Sequence, residues 1–167
     1  MRKPALIKLY FTWYQSVLQF GICHWGEAPD YILQPLKVLQ NSTIRIINQI
    51  PRLESASTGY KEYRILPLKL LYERSTMYFC VSFLLGNLTR PQDQAYKTRY
   101  AEKRLFIIPD YRKEHSRNTL SWQAPAIFNR KITTDKQLKD RIYATTQVNK
   151  LKQIIKKHYN ESIELIS

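Results

Sequence analysis

Cys23 and His24 stand side by side in GICHWGEAP, Gly21 to Pro29. They are the residue types from which a metal site or an activated thiol would be built. Zinc takes thiolates and imidazoles that converge from short, regular spacings. A Cys–His nucleophile needs both side chains within hydrogen-bond reach. Adjacent residues on a helix of 3.6 residues per turn point about 100° apart, so this pair meets neither demand. His115, His158 and Cys80 lie far off in sequence, with no partner at ligand spacing. Asp110 follows Ile107-Ile108-Pro109 with no second aspartate near it, whereas two-metal phosphoryl transfer needs a close carboxylate pair. No P-loop, G-x-G-x-x-G or G-x-S-x-G pattern occurs. The sequence therefore assigns no catalytic residue, no metal ligand and no resident cofactor. GICHWGEAP reads as a helix end. Gly21 permits close helix packing, Ile22 and Trp25 enter the core, and Gly26 supplies positive φ ahead of Pro29.

Charge points elsewhere. The 167 residues carry 27 Lys and Arg against 13 Asp and Glu, a net +14, and the pI is near 9.8. Such an excess suits a polyanionic partner, RNA or DNA, bound largely without regard to sequence. Hydrophobic residues make up 44%, enough for a folded core without metals or disulfides. Two cysteines cannot form a disulfide framework, so an intracellular, reducing setting is expected. No run of about 18 apolar residues is present, so no membrane span is expected. In MRKPALIKLYFTWY, Lys8 breaks the apolar run and no small-residue cleavage site follows; no signal peptide is expected.

The positioning elements read as helices. Leu6, Leu9, Trp13, Val17 and Phe20 recur at i, i+3, i+4, predicting one helix over about residues 5–25. A second spans about Tyr31 to Gln49, with Asp30 as N-cap and Pro51 as its stop; Pro35 requires a late start or a kink. Its apolar side is Ile32, Leu36, Leu39, Thr43, Ile46, Ile47 and Ile50, with Lys37, Gln40, Asn41 and Asn48 turned away. A short helix begins near Thr58, and Pro67 opens a longer one to about Leu85, with Cys80 buried in it. A three- or four-helix bundle over residues 5–87 follows, with Trp13, Trp25, Leu39, Ile46, Leu71 and Tyr78 as its most consequential core positions.

Beyond Leu88 the character changes. Ten basic residues face five acidic ones up to that point, and 17 face eight after it. Residues 89–104 read as a linker, and Leu105 to Tyr111 as a short strand or extended apolar anchor. A short helix covers about Trp122 to Arg130, with Trp122, Ile127 and Phe128 inward. A long terminal helix runs from about Asp135 to Tyr159. The fold class is mainly α, a helical bundle (5–87) followed by a basic, partly irregular extension (88–167). On the terminal helix Lys136, Lys139, Arg141, Lys150, Lys152, Lys156 and Lys157 flank a narrow apolar stripe. They are the expected nucleic-acid contacts, with Arg45 of the second helix a further candidate unless it pairs with Glu62 or Glu73. The alternative is that these cations only keep a surface helix soluble.

Five segments in order carry a resemblance: LYFTWYQSVLQFGICHWGEAP, LQPLKVLQNSTIRII, YKEYRILPLKLLYERSTMYF, LFIIPDYRKEHSRNTLSWQAPAIFN and the basic terminal helix. Together they resemble the region after the palm in reverse transcriptases of non-LTR (LINE-type, jockey-like) retrotransposons. Phe20 stands where that family usually has tyrosine, and IIPDYRKEH diverges further. The Tyr/Phe-x-Asp-Asp turn that binds Mg²⁺ in the palm does not occur in this sequence. The resemblance implies a thumb-like bundle that grips the template–primer duplex through phosphates, with a basic extension. The parent reaction would be RNA-directed DNA synthesis, with Mg²⁺ held outside this chain; no polymerase or nuclease activity is expected of this chain alone. It implies a nuclear or cytoplasmic protein, a C-terminal piece of an element. A stand-alone nucleic-acid-binding module, a protein–protein adaptor and a degenerate gene product stay open.

Overall fold

The computed structural model describes residues 3–85, Phe106, Ile108, 119–145 and 147–164, and every element among them is helical. Backbone packing divides the chain into two units: residues up to Tyr72 with those from Tyr159 onward, and Glu73–His158.

In the first unit, α1 (Lys3–Leu9) continues through a π-helical stretch (Tyr10–Tyr14) into α2 (Gln15–Gln19). Thr12 Oγ1 donates to the Lys8 carbonyl at 2.8 Å and Ser16 Oγ to the Thr12 carbonyl at 2.6 Å. Bonds of this kind draw on the carbonyls of the regular ladder and accompany a widened turn. The single helix expected over residues 5–25 is interrupted. Phe20 leaves helical conformation at ψ 114° and Gly21 takes φ +62°, before α3 (Ile22–Trp25) resumes. The roles expected of two glycines are exchanged. Gly26 sits at φ −67°, open to any residue. A Cβ there would lie 2.3 Å from Tyr72 Cδ2 and 2.6 Å from the Ile22 carbonyl. Gly21 makes the turn, and Gly26 permits the close approach.

The buried face of this N-terminal helix also differs from the expected one. Trp13, Val17 and Phe20 are 74%, 72% and 85% exposed, while Tyr10, Leu18 and Ile22 are buried and Leu6, Ile7 and Tyr14 half-buried. The segment is apolar nearly all round, so two stripes compete. Hydrogen bonds favour the observed one: buried tyrosines need partners for their hydroxyls. Tyr10 OH accepts from Gln40 Nε2 at 2.9 Å, and Tyr14 OH donates to the Leu36 carbonyl at 3.4 Å.

α4 (Asp30–Asn48) starts within one residue of the expected position and carries Pro35 inside its first turns. Asp30 lies within the first turn rather than at the N-cap, and its carboxylate takes Lys37 Nζ at 2.7 Å. The helix stops at Gln49, which adopts φ 59°, with Ile50 N donating to the Arg45 carbonyl at 3.1 Å. This is a Schellman-type cap on a non-glycine residue. Its apolar stripe is rotated from the expected one: Leu33, Gln40, Ile44 and Ile47 are buried, whereas Ile32, Leu39 and Ile46 face outward. Gln40 decides this rotation. Its side chain is 1% exposed and bonds Tyr10 OH, the Leu66 carbonyl and Leu68 N at 2.9, 2.9 and 3.1 Å. One amide thus ties the N-terminal helix, α4 and the start of α6 (Leu68–Leu85) together. α5 (Ser57–Glu62) completes a core of Tyr10, Ile44, Ile47, Ala56, Tyr60 and Ile65. Of the six expected core positions, Leu71 is buried, Trp25 and Tyr78 half-buried, and Trp13, Leu39 and Ile46 exposed.

In the second unit α7 (Leu120–Thr134) extends further at both ends than the expected short helix. Ile127 and Phe128 are buried and Trp122 half-buried. Phe106 lies edge-on to Phe128 at 4.9 Å, and its backbone N–H and carbonyl both bond the Asn129 amide, at 2.8 and 2.7 Å. Phe106 is thereby held on α7; the rest of Leu105 to Tyr111, apart from Ile108, lies outside the described residues, as does the expected linker. Cys80 is buried and its thiol donates to the Ala124 carbonyl. Buried Glu73 holds Lys131 Nζ at 2.6 Å and Arg130 Nη2 at 3.3 Å.

The terminal helix is two helices, α8 (Lys136–Tyr143) and α9 (Val148–Glu164). Asp135 caps the first, accepting from Leu138 N at 2.9 Å, and its other oxygen lies 3.3 Å from His158 Nδ1. Between them the Thr145 hydroxyl donates to the Arg141 carbonyl at 3.0 Å.

Candidate nucleic-acid interface

α8 and α9 are amphipathic for a simple reason: their apolar residues recur at three- and four-residue intervals. Leu138 and Ile142 on α8, and Leu151 and Ile155 on α9, are buried. That seating leaves the intervening positions outward. Lys136, Arg141, Lys150, Lys152, Lys156 and Lys157 are exposed and Lys139 is half-buried. Lys136, Lys139, Arg141, Lys150, Lys152 and Lys156 have no ion pair among the described residues. The acidic groups Asp140 and Glu161 are also exposed on these helices, so the surface is basic with an acidic admixture. All seven expected basic residues of the terminal segment fall in the second unit.

Arg45 belongs to the first unit. It pairs with neither Glu62 nor Glu73: its Nε donates to the Glu54 carbonyl at 2.7 Å, and Glu73 is engaged by Arg130 and Lys131. Arg45 lines a cavity of about 340 Å³ together with Lys37, Asn41, Ser57, Tyr60 and Lys69. α4 supplies three of these at 37, 41 and 45, one turn apart on a single side. Tyr60 OH donates to Asn41 Oδ1 at 2.7 Å, and burial pushes its pKa up, so it remains a donor. Lys37's hydrogen bond, with its charge, holds the Asp30 carboxyl below the usual carboxylate range. Sequence reasoning placed Lys37 and Asn41 on a solvated side and passed over Lys69. The 37, 41, 45 spacing was the available signal; the approach of Pro67–Lys69 was not visible.

Cys23 is half-buried and His24 exposed. No group of three or more His, Cys, Asp or Glu arranged for a metal occurs among the described residues; His115 and Asp110 lie outside them. No helix among the described residues is long and apolar enough to cross a membrane. No protein-family model, curated protein or solved structure matches this chain.

Proposed function

We propose that this chain is the post-palm, thumb-containing portion of a non-LTR (LINE-type, jockey-like) retrotransposon reverse transcriptase, and that it holds RNA or DNA through phosphates without performing bond chemistry. The ordered resemblance of five segments supports the origin. The observation that carries the binding role is the set of exposed basic residues on α8 and α9, of which Lys136, Arg141, Lys150, Lys152 and Lys156 have no ion pair among the described residues. Each phosphate neutralised by such a residue releases condensed counterions, which makes binding strong at low salt and indifferent to base sequence. In the parent enzyme, Mg²⁺ at the palm aspartates would supply the chemistry; this chain's lysines would contribute grip and register.

The test is fluorescence anisotropy of the intact chain on labelled single-stranded RNA, duplex DNA and an RNA–DNA hybrid. Binding to all three that collapses between 50 and 200 mM salt supports the reading. Absence of binding at 50 mM salt overturns it.

A second reading has its own observation. Trp13, Val17, Phe20 and Tyr31 are large, apolar and outward, as on a surface that meets another protein. A protein–protein adaptor would show salt-insensitive association and no affinity for RNA.

A further inference from the structure

We propose that the cavity of the first unit is a binding site for a nucleoside monophosphate, held by its phosphomonoester. Three cations line it, Lys37, Arg45 and Lys69, and no carboxylate does. Asp30, outside the lining, pairs with Lys37 at 2.7 Å. About two positive charges remain, and a phosphomonoester carries roughly −1.5 to −2 near neutral pH. A backbone phosphodiester, with a single charge, would neutralise only half of this.

The donors are suited to phosphate. The Glu54 carbonyl fixes Arg45 through Nε, and the terminal guanidinium nitrogens make no hydrogen bond among the described residues. A held guanidinium presents a planar fork that matches two phosphate oxygens. Asn41 Oδ1 is taken by Tyr60, which leaves the amide NH₂ to donate. The rest of the lining sets Ala56, Pro67, Leu68 and the Tyr60 ring beside the polar Gln40, Ser55 and Ser57. Cations next to an apolar stretch of wall suit a phosphate joined to a ring better than a bare anion. The volume, about 340 Å³, lies at the small end of ligand pockets, roughly 300–1,000 Å³, room for one nucleotide and not for a duplex. None of the lysines of α8 and α9 belongs to its lining.

The nucleotide has two sources, a free mononucleotide or the 5′-phosphorylated end of a strand. Calorimetric titration of the intact chain with UMP, uridine and inorganic phosphate tests the site. UMP should bind at least tenfold tighter than either fragment. Lys69→Gln, at an exposed position, and Arg45→Gln should each weaken UMP at least fivefold. UMP affinity unchanged in both variants, no UMP binding at millimolar concentration, or phosphate binding as tightly as UMP would overturn the proposal. The strand arm uses a short oligonucleotide with and without its 5′-phosphate, on a chain whose Lys150, Lys152, Lys156 and Lys157 are all glutamine. A tenfold preference for the phosphorylated end assigns the site to strand ends; equal affinity, with UMP still bound, assigns it to the free nucleotide. Absence of long-strand binding by the unmodified chain, with UMP still bound, contradicts only the α8–α9 reading.

Discussion

Replacing Gln40 with methionine keeps the length and unbranched shape of a buried side chain and removes three hydrogen bonds. The groups left behind are Tyr10 OH, the Leu66 carbonyl and Leu68 N. Each bond contributes about 0.5–1.5 kcal/mol net, and a buried group left unpaired costs about 1–3 kcal/mol. Gln40 borders the 340 Å³ cavity, so water can reach part of the gap, and the lower end applies. The expected loss is about 3 kcal/mol, a large fraction of the 5–15 kcal/mol by which domains of this kind are stable. Urea unfolding followed by circular dichroism should show a lower midpoint with an unchanged slope. Tyr10→Phe removes one bond and should cost about 1 kcal/mol, with a coupling to Gln40→Met of similar size in the double variant. A Gln40→Met protein within about 0.5 kcal/mol of the parent would refute the view that this amide sets the rotation of α4.

Other outcomes follow from burial and backbone. Trp13→Ala should change stability by less than about 0.5 kcal/mol, while Leu71→Ala should cost roughly 2–5 kcal/mol; equal melting of the two variants would contradict the exposed face. Gly26→Ala should destabilise more than Gly21→Ala in the same denaturation assay, because its new methyl meets Tyr72 and the Ile22 backbone within 2.6 Å, whereas Gly21→Ala carries only the left-handed penalty of about 1–2 kcal/mol. Burial pushes the hydroxyls of Tyr10 and Tyr14 up to about 12. The folded state therefore holds protons that the unfolded chain releases near pH 10. The associated stability is complete below about pH 10 and lost as pH rises through about 12. Urea midpoints across that window should fall, less steeply in Tyr10→Phe; identical profiles would contradict the burial of Tyr10.

The helical class was legible because Gly and Pro punctuate stretches of apolar periodicity. Which face turns inward was not, and the reason is local. From Leu6 to Ile22 nearly every third and fourth position is apolar on two sides, so periodicity admits two stripes. In α4 the deciding residue is polar. Gln40 reads as solvent-facing by composition, and its partners Tyr10, Leu66 and Leu68 lie 26–30 residues away in sequence. The glycine exchange has a similar origin. A positive φ at Gly21 and a close approach at Gly26 leave the same letter in the sequence. The basic residues of α8 and α9 were legible as exposed because Leu138, Ile142, Leu151 and Ile155 mark the opposite side. The cavity was hidden because Lys37, Arg45 and Lys69 meet through tertiary packing.

The most direct measurement of the nucleic-acid reading is the salt dependence of RNA affinity in the variant with Lys150, Lys152, Lys156 and Lys157 all changed to glutamine. Each phosphate contact contributes about 0.7–0.9 to the slope of log affinity against log salt. With circular dichroism unchanged, the slope should flatten by up to roughly 3 if all four contact phosphates, and RNA and DNA should weaken about equally. A slope identical to that of the parent chain would make these lysines a solubilising surface and contradict phosphate binding by α9.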